Sequence, residues 1–177
     1  MSNPQNAPHG SLSISALLLS PNGRITQGQY WGGVVFIVIA NIIVNYIGAL
    51  GLLLWAFLIF VGFCVYGKRL HDVGKSTWTH AIVWVVVLII TIGSLVLSWD
   101  GIEQIAGLFD PNNPLNEDEL REQITRLGPE FAAEFIPIIL ASLVTGLIWL
   151  IYTIWLGSLP SQKFDNRFGQ GPSGDVF

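Results

Sequence analysis

Apolar positions along this chain gather into long uninterrupted runs, not into the alternating or striped patterns of a soluble core. Three stretches, 25–67, 76–99 and 135–159, contain no Asp, Glu, Lys or Arg. The first is 43 residues long, which as one helix would reach roughly 64 Å, about twice a hydrocarbon core of some 30 Å. A helical hairpin is the economical solution. Asn45, Gly48 and Gly51 cluster where it would turn, giving spans at about 30–47 and 50–66. Both are short, and a re-entrant second segment is the alternative. The second run yields a span at about 79–98. Val83–Ile90 is almost wholly β-branched and in water would suggest a strand. In lipid every backbone N–H and C=O must be satisfied within the segment, so a helix is expected. The third run predicts a span at about 135–157, with Pro137 in the first turn, where a missing N–H does no harm. The fold class that follows is all-α, a polytopic membrane helical bundle of about four transmembrane helices.

The polar stretches between these runs complete the outline. Residues 1–11 are rich in Pro, Asn, Gly and Ser and read as disordered. No Lys or Arg precedes Arg24, so a secretory signal is not expected. Residues 12–19 suit a short helix on the membrane surface, ended by Ser20-Pro21-Asn22-Gly23. The expected organisation is a tail (1–22), a membrane domain (23–172) and a second tail (173–177). Residues 99–134 carry nine acids against Arg121 and Arg126. Within them Asn116 and Glu119 form a capping-box pattern, Leu115 and Leu120 a hydrophobic staple, and Gly128-Pro129 a stop. A short amphipathic helix with Leu120, Ile124 and Leu127 on one face is predicted there, lying on the bilayer or against the helix ends.

Composition agrees. The chain is 51% hydrophobic and 11% charged, against about 25% charged in ordinary soluble domains, and its mean hydropathy is +0.57. The net charge of −4 hides a segregation of signs. With four spans, Arg24, Lys68, Arg69, Lys75, Lys163 and Arg167 share one side, six of the eight basic residues. The positive-inside rule makes that side, with both termini, cytoplasmic. Tyr30, Trp31, Tyr66, Trp78 and Trp155 fall at the same boundary and Trp99 at the other, as an interfacial aromatic belt would. The single cysteine, Cys64, sits inside an apolar run and reads as a buried structural thiol.

Three motifs stand around the spans: Gly23-Arg24-Ile25 with Tyr30-Trp31, the segment KRLHDVGKSTW at 68–78, and DNRFG at 165–169 followed by Gly171-Pro172. In this order they resemble a family of small bacterial inner-membrane proteins, domain of unknown function 805, over about residues 23–172. Thr26-Gln27-Gly28-Gln29 stands where that family usually has charged residues, and the 99–134 segment is longer than its usual connection. The resemblance implies a bacterial inner (plasma) membrane location and no established activity.

Candidate chemistry concentrates where these motifs converge: Arg24, Lys68, Arg69, His71, Asp72, Lys75, Asp165, Asn166 and Arg167. Adjacent helical residues do not face one another, so a His71–Asp72 dyad is disfavoured. Pairing of Asp72 with Arg24, Arg69 or Arg167, locking the helix ends together, is the expected role. A proton-handling or headgroup-binding site is the alternative. Lys68, Arg69 and Lys75 are also expected to touch anionic headgroups. His9, His71 and His80 lack metal-ligand spacing. Asp110-Pro111-Asn112-Asn113 begins like a calcium loop but fails at Pro114, Leu115 and Arg121. The polar candidates inside the spans are Asn41, Asn45, Thr91, Ser94, Ser142 and Thr145, types that ordinarily join helices. No nucleophile–base pair, phosphate-cradling loop or paired carboxylate marks an enzyme. No catalytic residue, cofactor or nucleic-acid partner is expected. The expected partners are the lipid bilayer and either a membrane protein or a second copy. The expected role is a non-enzymatic structural or interaction component, with an oligomeric transport or channel component as the alternative.

Overall fold

The computed structural model describes residues 13–111 and 114–170, and every regular element among them is a helix. The readings made for residues 1–12, for Asn112-Asn113 and for Gly171-Pro172 with the tail beyond lie outside the described residues. In chain order the helices are α1 (Ile14–Leu19), α2 (Gln27–Val44), α3 (Leu50–Asp72), α4 (Trp78–Leu97), α5 (Trp99–Leu108), α6 (Glu117–Arg126), α7 (Pro129–Ala133) and α8 (Ile136–Ser158). Four of them, α2, α3, α4 and α8, are long and apolar enough to cross a membrane. Their exposed side chains, such as Ile43, Leu53, Ile89 and Leu143, are those that lipid solvates without cost.

The first span begins earlier than the apolar run alone suggests. Thr26 caps α2 by accepting from Gln29 N at 3.3 Å, while Gln29 Oε1 accepts from Thr26 N at 3.0 Å. The Thr-Gln-Gly-Gln segment is thus a capping box that satisfies two of the helix's otherwise unpaired amides. The hairpin turn follows at 45–49, and α3 then runs for 23 residues. It continues through Lys68, Arg69, His71 and Asp72, past the end expected for this span at about 66. These charges can remain helical because each is satisfied by a partner inside the fold.

The described chain forms two compact units, whose boundaries fall within α4 and α8. Unit one holds α1, α2, α3, the start of α4, the end of α8 and the C-terminal segment. Its core centres on Ile25, Tyr30, Val61, Val65, Leu70 and Leu156, each buried, and Cys64 lies buried among them. Tyr30 and Tyr66 pack edge to face inside this core, at a ring separation of 5.4 Å. They are internal packing groups and not members of an interfacial belt, whereas Trp31, Trp78 and Trp155 remain exposed. Trp31 also lies against Gly157, where any side chain would meet its indole.

Unit two, Val83–Ile151, comprises most of α4 and the first part of α8 with α5, α6 and α7 between them. Trp84 and Trp149 pack edge to face at 5.1 Å. A shallow apolar groove of about 480 Å³ runs between Gly93 and Leu97 on one side and Pro137 and Ala141 on the other. The segment expected to hold one short helix holds three. The additional α5 begins with Asp100 in its first turn and packs Gly101 against Glu134 and Phe135. Helix α6 carries its capping box in full, Asn116 Oδ1 accepting from Asp118 N and Glu119 N at 3.0 and 2.9 Å. Its Glu122–Arg126 pair is exposed.

Candidate functional site: a buried clasp of charges in unit one

The site arises from a backbone problem. A helix leaves its last four carbonyls without an internal partner and carries a partial negative charge of about one half there. In unit one the C-termini of α1, α3 and α8 all meet side chains that supply the missing donors. Lys68 Nζ donates to Ala16 O and Leu17 O in α1, both at 2.5 Å. Arg69 donates from Nε to Leu156 O of α8 at 3.3 Å, and from Nη2 to Leu159 O just beyond it. Gln27 Nε2 donates to Gly157 O at 2.6 Å. Asp72 O, at the end of α3, accepts from Gln162 N at 3.1 Å and from Arg24 Nη2 at 3.4 Å.

Asp72 sits at the centre and is fully buried. Its Oδ1 accepts from Arg24 Nε at 3.2 Å and Nη2 at 3.1 Å, and its Oδ2 accepts from Arg69 Nη1 at 2.5 Å. The carboxylate therefore bridges two guanidiniums whose side chains are 1% and 0% exposed. Neither arginine has an idle face. Arg24 also donates to Phe164 O at 2.8 Å, to Gly169 O at 3.4 Å and to Gln162 O. Arg69 Nη1 adds Ser161 Oγ at 3.0 Å. Two guanidinium charges thus face one carboxylate and two helix C-termini of about half a charge each, so the local charge nearly cancels. Such near-neutrality is what lets buried ions escape most of the desolvation penalty. Only arginine can do this, since its planar fork offers five donors in fixed directions.

Local backbone geometry places these groups. Helix α3 ends in a Schellman motif, with Lys75 N donating to Leu70 O at 2.7 Å and Gly74 N to His71 O at 3.1 Å. Gly74 adopts φ +77°, and a Cβ there would also strike Gln162. The C-terminal segment returns over this end as a tight turn. Asn166 N and Gly169 O, and Gly169 N and Asn166 O, pair at 3.1 and 3.0 Å. Asn166 Nδ2 donates to His71 O at 2.9 Å and to Gln162 Oε1 at 2.9 Å.

His71 does not face Asp72. Its Nδ1 lies 3.2 Å from Gly23 O, and its Nε2 lies 2.9 Å from Thr77 Oγ1. A carbonyl only accepts, so Nδ1 carries the hydrogen, and in the neutral ring Nε2 accepts from the threonine. The ring stacks flat on Phe168 at 4.0 Å. Imidazole and carboxylate are thus each engaged separately.

Next to the clasp lies a layer of hydroxyls and rings. Tyr30 Oη donates to Thr153 O at 3.1 Å, Tyr66 Oη lies 2.7 Å from Thr153 Oγ1, and His80 Nδ1 lies 3.3 Å from Tyr152 Oη. Tyr66, His80 and Tyr152 form a triangle of stacked rings, with centroids 4.8 Å apart for Tyr66 and His80 and 5.7 Å for each of the other two pairs.

Of the nine residues singled out from sequence, the structure brings Arg24, Arg69 and Asp72 together as one ion-paired unit, with His71 and Asn166 bound at its edge. Lys68 is buried on α1 and Arg69 on α8, so neither is open to a lipid headgroup. Lys75, Asp165 and Arg167 are exposed. Lys75 Nζ lies over the Trp155 ring at 5.8 Å and Arg167 over Phe168 at 4.6 Å. Arg167 makes no ion pair with Asp72. Sequence reasoning missed Gln27, Ser161 and Gln162, and the main-chain carbonyls that do most of the accepting. Gln162 carries no signal beyond its place after Leu159-Pro160, where the chain must turn back. Among the described residues no three His, Cys, Asp or Glu side chains gather as a metal site.

Four helices long and apolar enough to cross the bilayer mark a multi-pass membrane protein. The chain belongs to the family described as Protein of unknown function (DUF805), whose model matches residues 18–170 and so takes in the whole clasp. No curated protein and no solved structure matches it.

Proposed function

We propose that this chain is a non-enzymatic structural or interaction component of the bacterial inner membrane, with both termini in the cytoplasm. The clasp at Asp72 holds the cytoplasmic ends of its spans in one arrangement. One observation carries the reading: both oxygens of Asp72, and both guanidiniums that meet them, are spent on each other and on main-chain carbonyls of the helix ends and the C-terminal segment. A group meant to bind or turn over a substrate keeps a face for it. The polar residues of the spans support the same view. Asn45 donates to Asn41 O at 2.7 Å, and Thr91, Ser94, Ser142 and Thr145 donate to carbonyls of their own helices. Donors spent inside their own helices leave little to line a transport path.

The cytoplasmic assignment rests on the excess of Lys and Arg at this end. Reporter fusions after residue 72 and after the C-terminus test it, and external signal from either would reverse the orientation. For the role itself, crosslinking in the intact membrane followed by purification is expected to capture a defined membrane-protein neighbour or a second copy. Solute flux in liposomes that is lost in Asn41→Leu or Asn45→Leu would replace this reading with transport.

A further inference from the structure

Burial divides the basic residues of unit one into two sets. Arg24, Lys68 and Arg69 are buried and committed to internal acceptors. Lys75, Lys163 and Arg167 are exposed, and among the described residues none of the three makes an ion pair. The exposed set is presented rigidly. Lys75 follows the Schellman turn and lies over Trp155. Gly74 abuts Gln162, so Lys75 and Lys163 each stand one residue from a point where their two segments touch. Arg167 rides on Phe168, which is stacked on His71, in a turn held by Arg24 and Asn166.

Apolar groups stand among these cations. Phe164 is 84% exposed although the residues on either side of it are polar, and Trp78 is 77% exposed at the first residue of α4. Trp155 lies in the last turn of α8, a helix able to span, so the ammonium above it lies at the depth where headgroups begin. Exposed indole and phenyl rings beside exposed cations suit a surface that is apolar below and anionic above. Asp165 is the one acid in the turn, one negative charge against three positive.

We propose that Lys75, Lys163 and Arg167, set around Trp155 and Phe164, form a binding surface for the phosphates of anionic phospholipid headgroups. This rests on the reading that α8 ends at the membrane surface. It assigns lipid contact to residues other than Lys68 and Arg69, which the sequence alone would favour.

The test uses the full chain in phosphatidylcholine vesicles containing brominated phosphatidylglycerol or brominated phosphatidylcholine, read by tryptophan quenching. Wild type is expected to prefer the anionic lipid. Each of Lys75→Gln, Lys163→Gln and Arg167→Gln is expected to lower that preference about five-fold, and the triple variant to abolish it. A wild-type preference that survives about 1 M salt, where screening acts within some 3 Å, would overturn the proposal even if the triple variant failed to fold. So would equal quenching by the two lipids in wild type, or an unchanged preference in a folded triple variant. Flotation of each variant with pure phosphatidylcholine vesicles reads insertion separately. Loss of insertion would reject the membrane-surface reading. Retained insertion with no headgroup preference would reject this surface alone.

Discussion

Replacing Asp72 should unsettle this protein more than any other single change to a polar residue. The carboxylate is fully buried and accepts three side-chain hydrogen bonds from two arginines. Breaking a buried ion pair by deleting one partner costs about 3–5 kcal/mol, because the surviving charge stays desolvated. Here two guanidiniums are left facing each other across the vacated site. Asp72→Asn keeps one oxygen acceptor but turns its NH₂ toward the other arginine, so a loss of about 3 kcal/mol is expected. Asp72→Ala removes both acceptors and leaves a void, which places it near 5 kcal/mol, at the upper end of that range (about 3–5 kcal/mol). Against a usual total of about 5–15 kcal/mol, either is a large fraction. The assay is reversible unfolding in mixed micelles titrated with sodium dodecyl sulfate, followed by tryptophan fluorescence and far-ultraviolet circular dichroism. Gln123→Ala, at an exposed position of α6, is the control and should stay within about 0.5 kcal/mol. If Asp72→Ala were no more destabilising than that control, the clasp would not be holding the helix ends.

Other consequences are smaller or more local. Arg69→Lys keeps the charge but cannot reach Leu156 O, Leu159 O, Ser161 Oγ and Asp72 together, so about 2 kcal/mol should be lost in the same titration. Gly74→Ala forces a side chain into a φ of +77° and against Gln162. It should cost about 1–2 kcal/mol from the left-handed conformation alone, with Gly74→Asn milder than Gly74→Ala. Lys68→Met strips the donors from Ala16 O and Leu17 O. It should speed hydrogen exchange and proteolysis across 13–23 while leaving the main unfolding transition nearly in place, since α1 is a short peripheral helix.

The four spans were readable because lipid imposes a simple demand, some twenty apolar residues without charge. Their ends were harder. Sequence ends the second span at about 66, before the charges of Lys68–Asp72, since a charge at a membrane boundary is normally solvated. Here the charges satisfy one another and three helix termini, which lets α3 run on to Asp72. The short α5 was masked because a segment with nine acids reads as solvated throughout, although Asp100 at its first turn is an ordinary helix-start signal. In the site, Arg24, Arg69 and Asp72 were legible as scarce charges flanking apolar runs. Which arginines meet Asp72 was not, because the choice depends on where the chain after α8 turns back. Gln162 and the carbonyls of Leu156, Gly157 and Leu159 carry no pattern that a sequence can show. Tyr30 and Tyr66 were misplaced for a related reason. A tyrosine near a span end suits both a headgroup belt and an internal hydrogen bond, and Thr153 supplies the second.

Asp72 joins the entry of the first span to the end of the second. The most direct measurement is the coupling energy of Arg24 and Asp72 in a double-mutant cycle of Arg24→Gln, Asp72→Asn and the pair. Removing both partners leaves Arg69 with its α8 carbonyls and no second stranded charge, so the pair should be less destabilising than the sum of the singles. A coupling of about 2 kcal/mol is predicted, within the range for contacting residues. Additivity to within about 0.5 kcal/mol would contradict it.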